Sequence, residues 1–307
     1  YQDSLVEAEL EIGGKDAING TDYNIPLNGN HSGKFKSKEI VVAGYGIDDE
    51  KYSDYTGLNV KGKTVIIFLG EPKKDGKYFL SGNNRFSEWT FPGISKKLAT
   101  AAAKGAAGVL IINPRQETFN ERAVANGKKT GVYYPREESK EKTVGYALLS
   151  HAFAKSIIGD SFDKMLSAIK TNSLFDKEWY VIKKVKVELE LKKDRSIIQA
   201  SNVAGIIEGT DKKDEYVFLT AHYDHLGMHN GKIYYGADDD GSGTCAVITM
   251  AEAFVKAAAD GIRPRRTIVF MTVSGEEKGL WGSEYYSDHP FFPLDKTSVD
   301  LNTDMIG

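Results

Sequence analysis

Cysteine is nearly absent from this sequence of 307 residues, in which Cys245 is the only one. A single cysteine excludes a framework of internal disulfide bonds and is compatible with a reducing or an oxidising compartment. No apolar run approaches the roughly 20 residues that a membrane-spanning helix needs. The net charge is only -3, so the chain lacks the basic excess that favours nucleic acid or anionic membranes. We therefore expect no disulfide scaffold, no membrane span and no nucleic-acid partner.

The composition that remains is that of a globular protein, with 41% hydrophobic and 27% charged residues. The length allows one large or two medium domains. The chain starts at Tyr1 without a charged and apolar leader, and it stops at Gly307, shortly after a polar block. We therefore expect a processed chain or a fragment.

Four short polar blocks stand out in the last third of the chain. In chain order they are residues 221–225, 236–243, 274–279 and 302–305. The runs at 216–220 and 267–273 are apolar and β-branched, which is typical of strands in a sheet covered on both faces. Sites in such sheets collect at the carboxyl ends of the strands. The blocks therefore predict one site built from several strands.

The residue types in these blocks indicate a metal site. His222 offers a nitrogen, and Asp224, two residues later, could accept the other imidazole N–H and fix the tautomer. An aspartate of the run 238–240 could bridge two metal ions, because a carboxylate has two oxygens.

The last two blocks supply further carboxylates. Glu276 and Glu277 are adjacent, so one could bind a metal while the other takes a proton from water. Asp304 offers another ligand from a separate strand. A Glu-Glu pair alone usually marks a solvated face, so the prediction depends on all four blocks together.

These blocks also allow other interpretations. His225, His229 and His289 compete as ligands, but His225 on an extended segment would point away from the site or lie past the strand end, where substrate contact or solvent exposure is favoured. A calcium-binding EF-hand loop starting at Asp238 is rejected, because Thr249 stands where the bidentate glutamate should be.

The first two thirds of the chain show no such cluster. Strands are predicted at 39–44, 64–69 and 108–112, and an Ala-rich helix at 94–104. Lys183–Leu191 alternates charged and apolar residues, as an exposed-edge or one-sided strand would. Four scattered carboxylates are expected to be solvated, namely Asp54, Glu71, Glu88 and Glu117. A helix is predicted at 244–259, with Cys245 buried in its first turn.

At the four blocks the chain resembles the co-catalytic di-zinc exopeptidases, the family that contains bacterial leucyl aminopeptidases and glutamate carboxypeptidase. Residues 36–165 resemble, more weakly, the protease-associated domain that is often inserted in these enzymes. The resemblance implies an α/β fold, a mostly parallel mixed sheet flanked by helices, with an inserted β-rich α+β domain. The expected domains are an N-terminal segment 1–35, the insert 36–165 and a partial peptidase domain 166–307.

The resemblance also implies a role for each site residue. His222 and Asp304 would bind one zinc ion, Asp239 would bridge both, and Glu277 would bind the other. Glu276 would be the general base, and Asp224 would orient His222. The peptide bond between Asp239 and Asp240 would be cis. The family's fifth ligand is a histidine on a later segment than this chain contains, so two Zn²⁺ are expected for a complete chain and the occupancy of this one stays open.

The function implied by the resemblance is that of a metallo-exopeptidase acting on peptides. An aminopeptidase is favoured, using a zinc-activated bridging water and Glu276. The alternatives are a carboxypeptidase or another amide hydrolase on the same metal core, or a non-catalytic, receptor-like relative. Every ligand position within this chain is filled, which favours an enzyme. Secretion or a periplasmic location is implied by the resemblance alone, and the sequence gives no indication of an oligomeric state.

Overall fold

The computed structural model describes residues 1–91, 93–134, 144–229 and 231–307. They form two compact units, Tyr1–Ile197 and Ile198–Gly307. The elements of the first unit are β1 (Gln2–Ile12), β2 (Lys15–Asp16), β3 (Tyr23–Asn24), β4 (Gly33–Ser37), β5 (Ile40–Val42), β6 (Thr64–Phe68), β7 (Lys73–Lys74), β8 (Lys77–Tyr78), α1 (Ile94–Ala103), β9 (Gly108–Ile112), α2 (Glu121–Lys128), β10 (Tyr146–Leu149), α3 (His151–Ile158), α4 (Ser161–Lys170), a 3-10 turn (Lys177–Trp179), β11 (Ile182–Lys183) and β12 (Val187–Ser196).

Two main sheets build the first unit. One has the order β2-β1-β12-β4 and is antiparallel. The other has the order β11-β5-β6-β9-β10-β3, in which the four inner strands are parallel and the two edge strands antiparallel. Its central strands β6 and β9 are buried along their whole length, as expected for apolar runs covered on both faces. The strands and the helix predicted in this region are confirmed.

Strand β12 lies between β1 and β4, so the exposed-edge interpretation of this segment is wrong. Its one-sided character is real, because Val187, Leu189 and Leu191 are buried and the charged residues face the other way. There Glu188 pairs with Lys36 at 3.0 Å. Cross-strand ion pairs of this kind let charges occupy the open face of a central strand. The domain boundaries expected between residues 35 and 36 and between residues 165 and 166 stay a prediction. Strand β12 places residues 187–196 in the first unit.

Two carboxylates that were expected to be solvated are fully buried, so the expectation is wrong for Asp54 and Glu71. Asp54 accepts a hydrogen bond of 2.6 Å from the Tyr52 hydroxyl, and Glu71 accepts one of 2.6 Å from the Ser87 N–H. The buried Lys97 ammonium donates to the carbonyl of Gly70 at 2.9 Å. Buried polar groups need such partners.

The second unit carries the site. Its elements are β13 (Val203–Ile207), β14 (Lys212–His222), β15 (Gly227–His229), β16 (Lys232–Tyr234), α5 (Gly241–Ala259), β17 (Arg266–Val273), a 3-10 turn (Glu276–Lys278), α6 (Trp281–Asp288), a second 3-10 turn (Leu294–Lys296) and β18 (Thr297–Asn302). The sheet has the order β13-β17-β14-β18. Strands β14, β17 and β18 are parallel, and β13 is antiparallel. The predicted mixed, mostly parallel sheet is confirmed.

Helical segments cover both faces of this sheet. Val247 of α5 packs with Leu219 and Phe270 on one face. On the other face, Phe218 and Val269 pack with Tyr286 of α6. Cys245 is exposed, contrary to expectation, because it lies two residues from Val247 and therefore on another side of the helix. In the part of the chain that the structure describes, no helix combines the length and apolar character needed to cross a bilayer.

Candidate metal centre

The candidate site lies where the three parallel strands of the second unit end. Strand β14 ends at His222, which pairs with Val273 at the end of β17. Glu276 follows β17 after two residues, and Asp304 follows β18 after one. Because parallel strands point the same way, their carboxyl ends meet at one edge of the sheet. His222, Glu276 and Asp304 therefore lie together at this edge.

The loop before α5 brings the aspartate run to the same edge. The peptide bond between Asp239 and Asp240 is cis, as the resemblance implies. Asp240 is buried and caps α5 by accepting the Gly243 N–H at 2.8 Å, which is why the helix starts three residues before the predicted position. The Asp240 carboxylate also accepts the N–H groups of His222 at 3.2 Å and Met305 at 3.3 Å. Asp240 thus fixes the loop to two strand ends, and its oxygens are engaged by backbone donors.

A first group of donors surrounds the buried imidazole of His222. Its Nδ1 lies 2.9 Å from the carbonyl oxygen of Asp224. A carbonyl can only accept, so Nδ1 carries the proton and Nε2 of the neutral ring presents a lone pair. That Nε2 is 3.1 Å from Asp239 Oδ1 and 3.9 Å from Asp304 Oδ1. It is also 3.9 Å from Glu276 Oε2.

A second group joins His225, Asp239 and Glu277, whose donor atoms all lie within 4.8 Å of one another. The distance from His225 Nδ1 to Glu277 Oε1 is 2.7 Å. The sequence favoured substrate contact or solvent exposure for His225. The structure places it beside Glu277, in the loop that follows the end of β14 at His222. The side chain of His229 lies outside what the structure describes, and His289 is at the end of α6 against Tyr285.

Asp224 contacts two parts of the site at once. Its backbone carbonyl, rather than its carboxylate, is the close partner of His222, since Asp224 Oδ1 is 3.7 Å from Nδ1. The same Oδ1 accepts the Glu276 N–H at 3.1 Å. Asp224 therefore fixes the position of the His222 imidazole relative to the turn after β17 that contains Glu276.

The charges of the site shift two pKa values. Burial raises the pKa of Glu276, the carboxylates of Glu277, Asp304 and Asp239 raise it further, and His222 opposes the shift. For His222, burial alone would lower the pKa, but the Asp224 carbonyl and nearby carboxylates raise it above its ordinary value. A carboxyl with a raised pKa suits proton transfer near neutral pH.

The donor set fits a metal ion. Several carboxylates crowd around imidazole nitrogens, and like charges at this distance repel one another unless a cation lies among them. Imidazole nitrogen with carboxylate oxygen suits zinc and other transition metals, whereas calcium takes oxygen ligands. Among the described residues, two groups of three side chains could each hold a metal ion, namely His222 with Asp240 and Asp304, and His225 with Asp239 and Glu277.

Two family models and several known proteins match parts of this chain. Residues 202–307 match the model of peptidase family M28, and residues 36–157 match that of the PA domain. The chain is 33% identical over 119 residues to a probable glutamate carboxypeptidase of Zea mays, covering 38% of the chain and 16% of that protein. It is 34% identical over 110 residues to aminopeptidase YwaD of Bacillus subtilis, covering 35% of the chain and 22% of that protein. The chain thus spans less than a quarter of either relative.

Solved structures of aminopeptidases are also similar. An aminopeptidase from Aneurinibacillus sp. strain AM-1 is 18% identical with a TM-score of 0.45, covering all of this chain and 60% of that one. A zinc aminopeptidase from Bacillus subtilis is 21% identical with a TM-score of 0.40, covering all of this chain and 58% of that one.

Proposed function

We propose that this chain, which belongs to peptidase family M28 through residues 202–307 and contains a PA domain at 36–157, is part of a zinc-dependent aminopeptidase acting on peptides. The observation that carries the proposal is the meeting of His222, Asp239 and Asp304 at the carboxyl ends of parallel strands.

Two zinc ions are proposed for the complete site. His222 and Asp304 would hold one, Glu277 would hold the other, and Asp239 would contribute to both. Bound there, zinc would act as a Lewis acid on the scissile carbonyl and lower the pKa of a water molecule. Asp240 and Asp224 do not need to touch the metal. Their hydrogen bonds keep His222 and the turn that contains Glu276 in place.

Glu276 is proposed as the general base and acid. Its carboxylate takes a proton from the attacking water, the water oxygen forms a bond to the peptide carbonyl carbon, and the carbon–nitrogen bond then breaks. Glu276 returns the same proton to the leaving amine, so protons balance over one turnover. General acid–base catalysis of this kind contributes about 10²- to 10⁴-fold to the rate.

The test compares peptides that are blocked at one end. With zinc supplied, we expect hydrolysis of a peptide with a free amino terminus and none of its N-acetylated form. Glu276→Gln should lose about 10²- to 10⁴-fold in kcat with the zinc content unchanged. Glu208→Gln is the matched control, because Glu208 is an exposed carboxylate at the end of β13.

Cleavage that requires a free carboxyl terminus would replace the proposal with a carboxypeptidase. An equal kcat in Glu276→Gln and in the unchanged chain would show that Glu276 is not the general base. A chain that binds zinc without hydrolysing any of these peptides would favour a receptor-like role. A secreted or periplasmic location is proposed on the resemblance, and a leader encoded upstream of Tyr1 would support it.

A further inference from the structure

We propose that a cleft in the first unit, beside the start of α1, binds a carboxylate that is attached to an aromatic group. The cleft has a volume of about 420 Å³, within the roughly 300–1,000 Å³ that is typical of small-molecule sites. All of its lining residues belong to the first unit. The inference therefore goes beyond the proposed hydrolysis and does not depend on the metal centre.

The charge of the lining favours an anion. Lys97, Arg115 and Lys170 line the cleft, and among the described residues no carboxylate does so. The Arg115 guanidinium and the Lys170 ammonium are exposed, and neither has a hydrogen-bond or ion-pair partner in the part of the chain that the structure describes. A guanidinium can hold a carboxylate through two parallel hydrogen bonds. The lining thus offers positive charge that the described residues do not neutralise.

Lys97 is the buried cation of the cleft. Its ammonium donates to the carbonyls of Tyr45 and Gly70. One of the three N–H donors of the ammonium is therefore left without a hydrogen-bond partner among the described residues. Burial lowers the pKa of Lys97, and the carboxylates of Asp54 and Glu71 oppose this shift. An anion in the cleft would stabilise the charged form further.

The start of α1 adds backbone donors. Gly93 and Ile94 line the cleft, no side chain caps the helix, and its first turn has no acidic residue. The first N–H groups of a helix have no partner within the helix and attract anions. Gly93 has φ = +57°, and a Cβ there would lie 2.4 Å from the carbonyl oxygen of Thr90. Glycine is therefore required where the helix begins.

One buried hydroxyl of the lining lacks a partner. Thr90 lines the cleft, and its Oγ1 is inaccessible to solvent without a hydrogen bond to any described residue. Buried polar atoms normally have a partner. A carboxylate bound here would accept a hydrogen bond from this hydroxyl as well as from the N–H groups of α1. The hydroxyl thus indicates where in the cleft the carboxylate would lie.

Aromatic rings supply the apolar part of the lining. Tyr78 and Phe86 pack edge to face with their ring centroids 6.3 Å apart, and Phe86 is 51% exposed. Both rings line the cleft, together with Trp89. A ligand ring packed on them would remove apolar surface from water. An anion without an aromatic group would leave that surface exposed, so we expect it to bind more weakly.

The test is isothermal titration calorimetry of the chain, freed of metal by dialysis, with 3-phenylpropionate. Its amide is the neutral match, and inorganic phosphate is the anion without a ring. We expect the acid to bind at least about tenfold more tightly than either, and its affinity to fall as salt is added. The peptide N-acetyl-glycyl-phenylalanine and its amide distinguish the source of the carboxylate. A preference for this peptide over 3-phenylpropionate assigns the cleft to a peptide terminus, and the reverse assigns it to a free acid.

Two variants locate the binding. Arg115→Gln removes an exposed charge, which leaves the fold intact, and should weaken 3-phenylpropionate about tenfold. Thr90→Val removes the hydroxyl that lacks a partner, a change that is nearly neutral for stability, and should weaken it about threefold or more. Arg122→Gln is the matched control, because Arg122 is exposed on α2 and does not line the cleft. We expect it to leave the affinity unchanged.

Nuclear magnetic resonance of the unchanged, ¹⁵N-labelled chain decides the question even if a variant does not fold. The acid should shift the amide resonances of Ile94 and Ser95 at the start of α1, and its amide should not. Equal affinity for the acid and its amide, or equal affinity in Arg115→Gln, Thr90→Val and Arg122→Gln, would overturn the proposal. Either result would leave the zinc content and the hydrolysis of peptides unaffected, so failure here is distinct from failure of the proposed function.

Discussion

Asp240→Asn offers a direct test of how the site is built. The buried Asp240 carboxylate accepts three backbone N–H groups, from His222 at 3.2 Å, Gly243 at 2.8 Å and Met305 at 3.3 Å. An asparagine has one oxygen where aspartate has two. Asparagine caps helices as well as aspartate does, so we expect its oxygen to stay with Gly243. The amide NH₂ would then face the His222 N–H, donor against donor.

The expected cost follows from that lost contact. A hydrogen bond to a charged acceptor contributes about 1.5–3 kcal/mol, and a buried donor left unsatisfied costs about 1–3 kcal/mol. Because the hydrogen bond from the Gly243 N–H is kept, we expect only the contact with His222 to be lost. The free energy of local unfolding around β14 and α5 should then fall by roughly 2–3 kcal/mol. At about 1.4 kcal/mol per factor of ten, amide exchange there should accelerate roughly 30- to 150-fold.

Hydrogen exchange followed by mass spectrometry measures this locally, on peptides from β14 and α5, in the presence of a chelator. Asp238→Asn is the control, because Asp238 is exposed and its Oδ1 accepts from Ser242 and Gly307 at the surface. Surface changes stay within about 0.5 kcal/mol, or roughly a factor of two. Equal exchange in the Asp240 and Asp238 variants would refute the role given to Asp240.

Three further predictions concern stability. Burial would raise the pKa of Asp3, but hydrogen bonds from Arg195 and Lys193 outweigh it and lower that pKa to about 2. The ionised carboxylate therefore stabilises the folded state by about 2 kcal/mol at most above pH ~4, and this stabilisation is lost as the pH falls through about 2. Asp3→Asn should flatten that part of an acid unfolding curve followed by circular dichroism. Lys97→Met should destabilise the first unit by about 1–3 kcal/mol, because it leaves the buried carbonyls of Tyr45 and Gly70 without their donor, and an unchanged urea midpoint would contradict this. Phe218→Ala should cost the second unit about 3–5 kcal/mol, since the ring is buried against Tyr286 at 5.3 Å, and exchange of β14 amides measures it.

The parts of the site that could be predicted from the sequence are those fixed by strand direction. His222 ends one strand of the parallel set, and Glu276 and Asp304 follow two others, so apolar runs with polar residues at their ends were enough to bring them together. The short distance between His222 and Asp239 depends on the Asp240 hydrogen bonds, which no pattern of residue types predicts.

The position of His225 depends on how the chain turns after β14, which the sequence pattern does not define. An extended continuation would have turned it away, and only the contacts of Asp224 with His222 and Glu276 bring it back. Glycine before the aspartate run was the one available signal, since Gly236 is where the ring packs. The burial of Glu71 was missed for a similar reason, because its partner Ser87 lies 16 residues away.

The central claim is that these residues form a zinc site, and native mass spectrometry of the chain with added zinc tests it most directly. We expect two zinc ions per chain, and fewer in His222→Ala, which removes the most buried ligand. A chain that binds no zinc, or binds the same amount with and without His222, would contradict the account.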